Sequence, residues 1–180
     1  MNFLNLLKKR ESIRKYLDKK VEREKIEACL EAARLAPSAC NSQPWRFIIV
    51  DDDDLTKKVG KATYSKFIPF NRFADAVPAF AVIVAQNRNL SSKFGGMVKD
   101  IPYHFIDIGI AAEHFCLQAV EEGLGTCMMG WFNEKEIKKL LEIPQKERIA
   151  LIIAMGYHEN QGPREKIRKD INSIRSYNKY

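Results

Sequence analysis

Residues 37–47 read Pro-Ser-Ala-Cys-Asn-Ser-Gln-Pro-Trp-Arg-Phe and join two segments of different periodicity. Before them, Glu22–Ala36 places apolar residues at positions 26, 29, 30 and 33, the spacing of an amphipathic helix. After them, Trp45–Val50 is a nearly continuous apolar run, typical of a buried strand. Small residues and amides at this junction leave the backbone open among hydrogen-bonding groups, which suits a polar heterocycle of uracil type. Pro-Ser alone indicates only a turn, but the whole string is too particular for that interpretation.

The rest of the chain also alternates between helical and extended patterns. Helices are predicted at Asn2–Lys9, Glu22–Ala36, Asp51 to Gly60, His104–Glu122 and Glu134–Leu141, and strands at Trp45–Val50, Pro78–Gln86, Thr126–Trp131 and Ile149–Gly156. No firm element is predicted between Lys61 and Val77. Residues 87–102, with paired serines and paired glycines, are predicted to form a mobile surface excursion. This order predicts one α+β sandwich domain over residues 1–180.

Asp51–Asp54 forms the most acidic run of the chain. Four adjacent carboxylates cannot all converge on one ion, and Asp favours helix starts, so the run is interpreted as a cap and first turn. His104, His114 and His158 have no partner spacing that indicates a metal site. No metal is therefore predicted.

Composition places the chain among globular proteins. It has 180 residues, of which 46% are hydrophobic and 29% charged, and it has no apolar run of membrane-spanning length. The first ten residues are too weakly apolar for a secretory signal, so a cytoplasmic location is expected. Cys29, Cys40, Cys116 and Cys127 form no CxxC pair and are expected to stay reduced; Cys29 and Cys116 are predicted to be small core residues.

The net charge of +7 raises the possibility of a nucleic-acid partner. However, the basic residues are scattered, and only the tail Arg164–Lys179 is consistently basic. That tail carries no RNA-binding or helix-turn-helix signature. A basic surface that attracts anionic substrates and cofactors is the better interpretation, and no nucleic acid is expected.

Two strings together resemble the FMN-dependent nitroreductase family. They are Arg10-Glu11-Ser12-Ile13-Arg14, a basic–x–Ser–x–basic signature, and the PSxxNxQPWxF pattern of residues 37–47. Matching features continue to Lys166 and Arg168, so the resemblance spans nearly the whole chain. It implies a nitroreductase-like α+β sandwich with a central, mostly antiparallel sheet flanked by helices. It also implies a domain-swapped homodimer in which the tail, from about residue 157 to 180, reaches the partner subunit.

Basic residues near both chain ends predict a phosphate subsite. Arg10, Ser12 and Arg14 occupy alternate positions, so an extended segment would turn them to one face, and Lys166 and Arg168 form a second alternate pair. Forked guanidinium donors with a hydroxyl suit a phosphate monoester. For either patch alone, a solvated basic surface would be the better interpretation. The resemblance implies that both meet at the FMN phosphate, with Glu11 pointing away and contributing its backbone; neither GxGxxG nor a P-loop occurs.

The resemblance also implies an isoalloxazine subsite. Pro37, Ser38, Ala39 and Cys40 would lie against the flavin, reaching it from the partner subunit, and Asn41 would contribute its amide or shape the loop. Asn71 matches a position that hydrogen-bonds the pyrimidine edge, although a turn residue is an equal interpretation. Met129 and Gly130 fall where a backbone N–H meets flavin N5, and Gly130 lacks the Cβ that would hinder the approach. Many relatives carry a Glu in this loop, and this chain has none.

The resemblance implies an FMN-dependent NAD(P)H oxidoreductase with ping-pong kinetics. Hydride from NADH or NADPH would pass through FMN N5 to a small electron-poor acceptor such as a nitroaromatic or quinone, with Arg14 stabilising the charge of the reduced flavin. No side-chain nucleophile or general base is required. Two alternatives remain: an FMN enzyme of the same scaffold with other chemistry (ene reduction, dehalogenation or flavin destruction), and a basic nucleic-acid-binding module. Residues 87–103 should cover the substrate side, so they would decide between the NAD(P)H oxidoreductase and an FMN enzyme with other chemistry.

Overall fold

The computed structural model describes residues 2–67, 69–86, 101–159, 162 and 164–180. Its helices are α1 (Phe3–Lys9), α2 (Arg23–Arg34), α3 (Asp53–Lys61), α4 (Tyr103–Glu121) and α5 (Glu134–Leu140), and its strands are β1 (Trp45–Val50), β2 (Ala79–Ala85), β3 (Gly125–Met129) and β4 (Arg148–Gly156). Short 3-10 turns lie at Ala39–Asn41, Arg72–Ala76 and Ile171–Ser173. Every helix and strand predicted from the sequence is present, with ends that agree to within two residues.

The strands form one sheet in the order β1-β2-β4-β3, and every pair in it is antiparallel. The register places Ile48 opposite Val82, and Val82 opposite Ile152. β1 and β3 are therefore the two edges, and β2 and β4 the interior. The predicted α+β architecture with a mostly antiparallel sheet is confirmed.

Strand β2 is buried along its whole length, and its side chains serve two different core layers. Ala79, Ala81, Ile83 and Ala85 pack with the buried residues of α2 and α4, and Phe80, Val82 and Val84 pack with those of α3 and α5. The alternation follows from the period of two in a strand. A strand covered on both faces has no polar side, which explains its continuous apolar sequence.

Two regions differ from the sequence-based expectation or lie outside the described residues. The stretch between Lys61 and Val77, where no firm element was predicted, contains the 3-10 turn Arg72–Ala76. This turn packs against α3 so closely that a Cβ added to Gly60 would lie 2.5 Å from the carbonyl oxygen of Ala74. Tertiary contact, which local periodicity does not reveal, holds the turn in place. The predicted excursion falls mainly on residues 87–100, which lie outside the described residues.

The acidic run starts helix α3, as predicted. The Asp52 carboxylate accepts hydrogen bonds from the backbone N–H groups of Asp54 (3.1 Å) and Leu55 (2.9 Å). Asp51 instead pairs with Arg23 at 3.0 Å, and Asp53 with Lys20 at 3.1 Å. Asp51, Asp52 and Asp53 therefore use their carboxylates for three separate contacts. The described residues contain no group of His, Cys, Asp and Glu side chains that could hold a metal ion.

The described helices include none that is both long enough and apolar enough to cross a membrane. Helix α4, the longest, buries Ile108, Ala111 and Phe115 against the sheet but leaves Phe105 and Ile106 exposed near its start. Cys29 and Cys116 lie in the core layer that α4 forms with the sheet, as predicted. Burial raises the pKa of each of these thiols to about 12, so they stay protonated at neutral pH.

The N-cap of α3 provides a direct test of the described packing. We expect Asp52→Ala to lower the free energy of unfolding by about 1 kcal/mol, because two N–H groups at the helix start lose their acceptor. Asp54→Ala is the matched control, since Asp54 stands in the same turn without capping it. Urea denaturation of both variants makes the comparison, and equal stability losses would show that Asp52 does not act as the cap.

Candidate functional site

Residues 10–15 extend along the free edge of strand β3. The backbone N–H of Ile13 donates to the carbonyl of Thr126 at 2.8 Å, and Ser12 forms a parallel bridge with Thr126. Gly125 makes this approach possible, because a Cβ there would lie 2.6 Å from the Ile13 side chain. The extended conformation predicted for this segment is therefore present, and the sheet edge fixes it.

The alternate residues Arg10, Ser12 and Arg14 influence the electrostatics of one side chain of β3, Cys127. Burial raises the pKa of the Cys127 thiol, while Arg14, a hydrogen bond from Ser12, and Arg10 all oppose that rise. All three residues are therefore near enough to Cys127 to favour its thiolate. Ser12 lines one pocket together with Arg10 and a neighbouring pocket together with Arg14, and neither of these two pockets is lined by both arginines. The convergence of Arg10, Ser12 and Arg14 on one phosphate stays a prediction.

The C-terminal tail crosses this segment. The Lys166 ammonium donates to the backbone carbonyl of Leu7 at 2.6 Å and also to that of Arg10. The Arg164 guanidinium donates to the Glu11 carboxylate at 2.6 Å and to the Ser12 carbonyl at 3.1 Å. Residues from the two ends of the chain therefore meet. Lys166 in effect caps the C-terminal carbonyls of α1, where a cation is favourable.

Four cations line a shallow open pocket of about 290 Å³ at this crossing. We call Arg10, Arg164, Lys166 and Arg168 the basic cluster; Ser12, Glu11 and Glu165 also line the pocket. Partial burial lowers the pKa of Lys166, and the nearby Arg10 and Arg168 lower it further. Because like charges repel one another across this pocket, an anion placed among them would be stabilised.

The residues of the basic cluster differ in how many hydrogen bonds and ion pairs they already make with other protein groups. Arg10 lies 3.4 Å from the Glu113 carboxylate of α4. The Lys166 ammonium already donates two hydrogen bonds to backbone carbonyls. Arg168 is exposed, and among the described residues it donates only to the carbonyl of its neighbour Ile167, at 2.8 Å. Arg14, also exposed, has no hydrogen bond or ion pair with another described residue. Arg168 and Arg14 are thus the guanidinium groups most available to a ligand.

The Glu11 side chain is engaged at this site. It was expected to point away from the phosphate subsite; its carboxylate binds Arg164 of the basic cluster, and Glu11 is one of the residues that line the pocket. The physical reason is that the tail brings a guanidinium against this edge of the segment, and the carboxylate neutralises it. The site accordingly contains a structural ion pair beside its free cations.

The loop at residues 37–43 lies elsewhere on the chain, packed against the start of α4. Cys40, Asn41 and Gln43 have positive φ angles of 53°, 50° and 45°, a conformation that L residues adopt at a cost. The Ser38 hydroxyl accepts the N–H of Gln43 at 2.9 Å, and the Asn41 amide oxygen accepts from the Gln43 side chain at 3.1 Å. Pro37 and Cys40 are exposed, whereas Ser38 and Ala39 are half-buried.

Within one chain this loop and the basic cluster contact different faces of α4. The loop binds Asp107, whose carboxylate accepts the Ala39 N–H at 3.1 Å, whereas Arg10 pairs with Glu113. Six residues of an α-helix correspond to a rotation of about 240° and a rise of about 9 Å. The two predicted subsites are therefore not assembled into one site by the described contacts of a single chain.

The remaining candidates surround the end of β3. The Asn71 amide nitrogen donates to the carbonyls of Thr63 and Trp131, each at 3.1 Å, so both its N–H groups are in use. Only its amide oxygen is left for a ligand. Met129 is buried in the core, whereas Gly130 is exposed, and a Cβ added to Gly130 would meet no atom within 4 Å. The backbone at Gly130 thus lies against open space.

Sequence reasoning did not identify Arg164, Glu113 or Asp107 as parts of these sites. Arg164 was identified only as one residue of a basic tail, and Glu113 and Asp107 were not singled out within the predicted helix His104–Glu122. Their partners lie 68 to 153 residues away in the chain. A polar residue at a position of α4 that periodicity assigns to the core was the one available signal, and Asp107 carried it.

Comparison with known proteins defines the class of protein. Residues 7–157 match the nitroreductase family, so the chain belongs to that family. The structure of an FMN-dependent nitroreductase from Clostridium difficile R20291 superimposes with a TM-score of 0.77 at 31% identity, over 99% of this chain and 100% of that one.

Two curated relatives show the range of functions named in the family. A putative NADH dehydrogenase/NAD(P)H nitroreductase from Archaeoglobus fulgidus is 33% identical over 88% of this chain and 86% of its own length. An iodotyrosine deiodinase from Thermotoga neapolitana is 26% identical over 89% of this chain and 92% of its own length. The chain is therefore similar along nearly its full length to oxidoreductases with different named substrates.

The basic cluster predicts that an anion stabilises the protein. We expect inorganic phosphate to raise the Tm of protein freed of any bound cofactor, and Arg168→Ala to weaken that binding by about 1.5–3 kcal/mol, the range for a charge-assisted hydrogen bond. Arg168 is a cleaner choice than Arg10, whose removal would leave Glu113 without its partner.

Arg175→Ala is the matched control, because Arg175 is an exposed tail arginine bonded to Asn172 and outside the pocket. Thermal shift with sodium chloride at equal ionic strength separates binding from screening. If phosphate raises the Tm of Arg168→Ala as much as that of the parent, Arg168 does not contribute to anion binding.

Proposed function

We propose that this protein is an FMN-dependent NAD(P)H oxidoreductase that works as a homodimer on small electron-poor acceptors such as nitroaromatics or quinones. The observation that carries the proposal is the basic cluster, in which cations from both chain ends surround a pocket beside the extended residues 10–15. Membership of the nitroreductase family and the likeness to a structure described as FMN-dependent support the choice of cofactor.

The basic cluster fits the phosphate end of FMN. A phosphate monoester accepts several charge-assisted hydrogen bonds, and Arg10, Ser12 and Arg168 offer donors around the pocket. Burial lowers the pKa of Lys166 most, and the repulsion from Arg10 and Arg168 that lowers it further would be relieved by a dianion. Lys166 and Arg164 have a second task, since their bonds to residues 7–12 hold the tail in position.

Two described features suit the ring end of the cofactor. The open space at Gly130 gives a flat ring access to the backbone there, beside the buried Met129. Arg14 is free of partners among the described residues and belongs to the same segment as the phosphate donors. We assign Pro37, Ser38, Ala39, Cys40 and Asn41 to the opposite side of the ring, contributed by the partner subunit.

Bound FMN would supply the redox chemistry, by carrying a hydride from NADH or NADPH to the acceptor. The protein would bind and orient the cofactor, and the Arg14 guanidinium would stabilise negative charge on the ring. Asn71 would act mainly through structure, by tying Thr63 to the end of β3 and leaving its amide oxygen towards the pyrimidine edge. This division of labour requires no nucleophile or general base from the chain.

Exposed apolar side chains support the proposed homodimer, because a partner subunit would cover them. Phe3 and Leu4 of α1, and Phe105 and Ile106 of α4, are 47–63% exposed. In the tail, Ile171, Ile174 and Tyr177 are 54–76% exposed at a spacing of three residues. A second copy of this chain would cover both surfaces, and it would bring its loop at residues 37–43 to the basic cluster of the first. We propose that residues 1–180 form one domain in this assembly.

A second candidate function is reductive dehalogenation on the same scaffold. The similarity to a Thermotoga neapolitana iodotyrosine deiodinase favours it. The absence of Glu from residues 127–131, where many relatives carry one, fits a change of acceptor equally well. Turnover of nitroaromatics, quinones and a halogenated tyrosine by the same preparation would rank the two functions.

The cofactor proposal predicts a yellow protein that releases FMN, and not FAD, on heating. Absorbance of the purified protein and chromatography of the released flavin make the measurement. A colourless protein that neither takes up added FMN nor changes on titration with it would contradict the proposal, and salt-dependent retention of such a protein on DNA would favour a nucleic-acid-binding module.

Gly130→Ala tests the ring subsite within the same experiment. Its Cβ would meet no protein atom within 4 Å, so we expect unchanged Tm without cofactor but weaker FMN binding. Gly60→Ala, whose Cβ would lie 2.5 Å from the Ala74 carbonyl oxygen, should show the opposite pattern, with lower stability by about 1–3 kcal/mol.

The shared site predicts a dimer with an interface above roughly 2,000 Å². We expect Ile106→Asp to produce monomers that lose FMN, because a charge would be buried in the interface. Leu17→Asp is the control, since Leu17 is similarly exposed, at 41%, but lies outside α1 and α4. Light scattering that finds flavin-loaded monomers of the parent protein at micromolar concentration would disprove the shared site.

A further inference from the structure

The buried carboxylate of Asp107 in α4 contacts the backbone of the loop at residues 37–43. Asp107 is 5% exposed. Its Oδ1 accepts the backbone N–H of Ala39 at 3.1 Å. Its other oxygen, Oδ2, is also buried. Among the buried side-chain oxygen and nitrogen atoms of the described residues, it is the one without a hydrogen-bond partner. Such an atom requires an explanation, because most buried polar side-chain atoms in folded proteins are bonded.

The loop needs an external constraint. Cys40, Asn41 and Gln43 are all in the left-handed region, which is unfavourable by about 1 kcal/mol or more for each residue with a Cβ. The other described hydrogen bonds of residues 38–43 are local, such as Asn41 N–H to the Ser38 carbonyl at 3.0 Å and Ser42 N–H to the Ala39 carbonyl at 3.1 Å. Local bonds can move together with the loop. The bond to Asp107 anchors it to the rigid helix.

Stability does not account for an Asp at this position. Its neighbours on α4, Ile108 and Ala111, are fully apolar and pack into the core. A carboxylate with one oxygen that no described residue bonds destabilises the fold in such surroundings, and a residue without charge would serve the core better. What Asp107 does provide is a charged acceptor, the strongest kind, for one particular N–H of the loop.

We propose that Asp107 is a positioning residue for the cofactor: it fixes Ala39, and through it residues 37–41, in the conformation that meets the flavin ring. The proposal rests on the proposed function and assigns a task to a side chain outside the cofactor site. Without the anchor the left-handed residues relax, and the loop must be reordered each time FMN binds. The charge thus weakens the apoprotein and strengthens the complex.

Asp107→Ala and Asp107→Asn test this assignment. The Ala variant removes the acceptor, and we expect FMN binding to weaken by about tenfold or more, the effect of losing a bond to a charged group. Its Tm without cofactor should be equal to or above that of the parent, because the unbonded oxygen is removed. The Asn variant keeps an acceptor at Oδ1 and should bind FMN within about threefold of the parent.

Ala39→Pro removes the other partner of the same bond. Ser38 is extended (φ −147°, ψ 151°), the conformation favoured before proline, and Ala39 opens a 3-10 turn, where proline is tolerated. If the two residues act through their hydrogen bond, the double variant Ala39→Pro/Asp107→Ala binds FMN no more weakly than the weaker single variant. Additive losses would overturn the assignment.

His114→Ala is the matched control on the same helix. The His114 ring lies 3.3 Å from the Ala32 carbonyl of α2, so it too ties α4 to a neighbouring backbone, but away from the loop. We expect it to change Tm and leave FMN affinity nearly unchanged. If Asp107→Ala lowers Tm and affinity together, as a purely structural residue would, the positioning role is wrong. If the parent binds no FMN, the cofactor proposal itself has failed.

Discussion

The burial of strand β2 on both faces is the constraint from which the rest of the structure follows. Its seven residues are all buried and alternate between two core layers, so each face of the sheet needs its own helices. α2 and α4 cover one face, and α3 and α5 cover the other. With β2 and β4 enclosed, the free edges are β1 and β3, and residues 10–15 occupy the edge of β3. The basic residues reach their positions because this edge is available.

Charge repulsion and charge pairing are balanced at that edge. Arg10 and Arg164 are partly neutralised by Glu113 and Glu11, and those pairs hold α1, α4 and the tail together. Arg168 and Arg14 remain available, and Lys166 is held among like charges with a lowered pKa. A site that binds an anion must keep cations close together before the anion arrives. The ion pairs with Glu113 and Glu11 reduce the repulsion among these cations, and the cations that remain unpaired still attract phosphate.

The sequence by itself determined the elements and their order. The helical stripe of Glu22–Ala36, the apolar runs that became β1 and β2, and the aspartates before α3 each carry their signal within a few neighbouring residues. The alternate spacing of Arg10, Ser12 and Arg14 likewise predicted a shared face once the segment was taken as extended. Such features are local, because helix and strand periodicity and capping depend on residues no more than four positions apart.

Only the tertiary structure decided which distant residues meet. It paired the Arg164 guanidinium with the Glu11 carboxylate, placed Lys166 at the C-terminal carbonyls of α1, and brought Asp107 to the backbone N–H of Ala39. It also placed the loop at residues 37–43 and the basic cluster on different faces of α4. These contacts join residues 68 to 159 positions apart, and nothing in a local pattern specifies such partners. They arise because both faces of the sheet must be covered, and that requirement belongs to the folded chain as a whole.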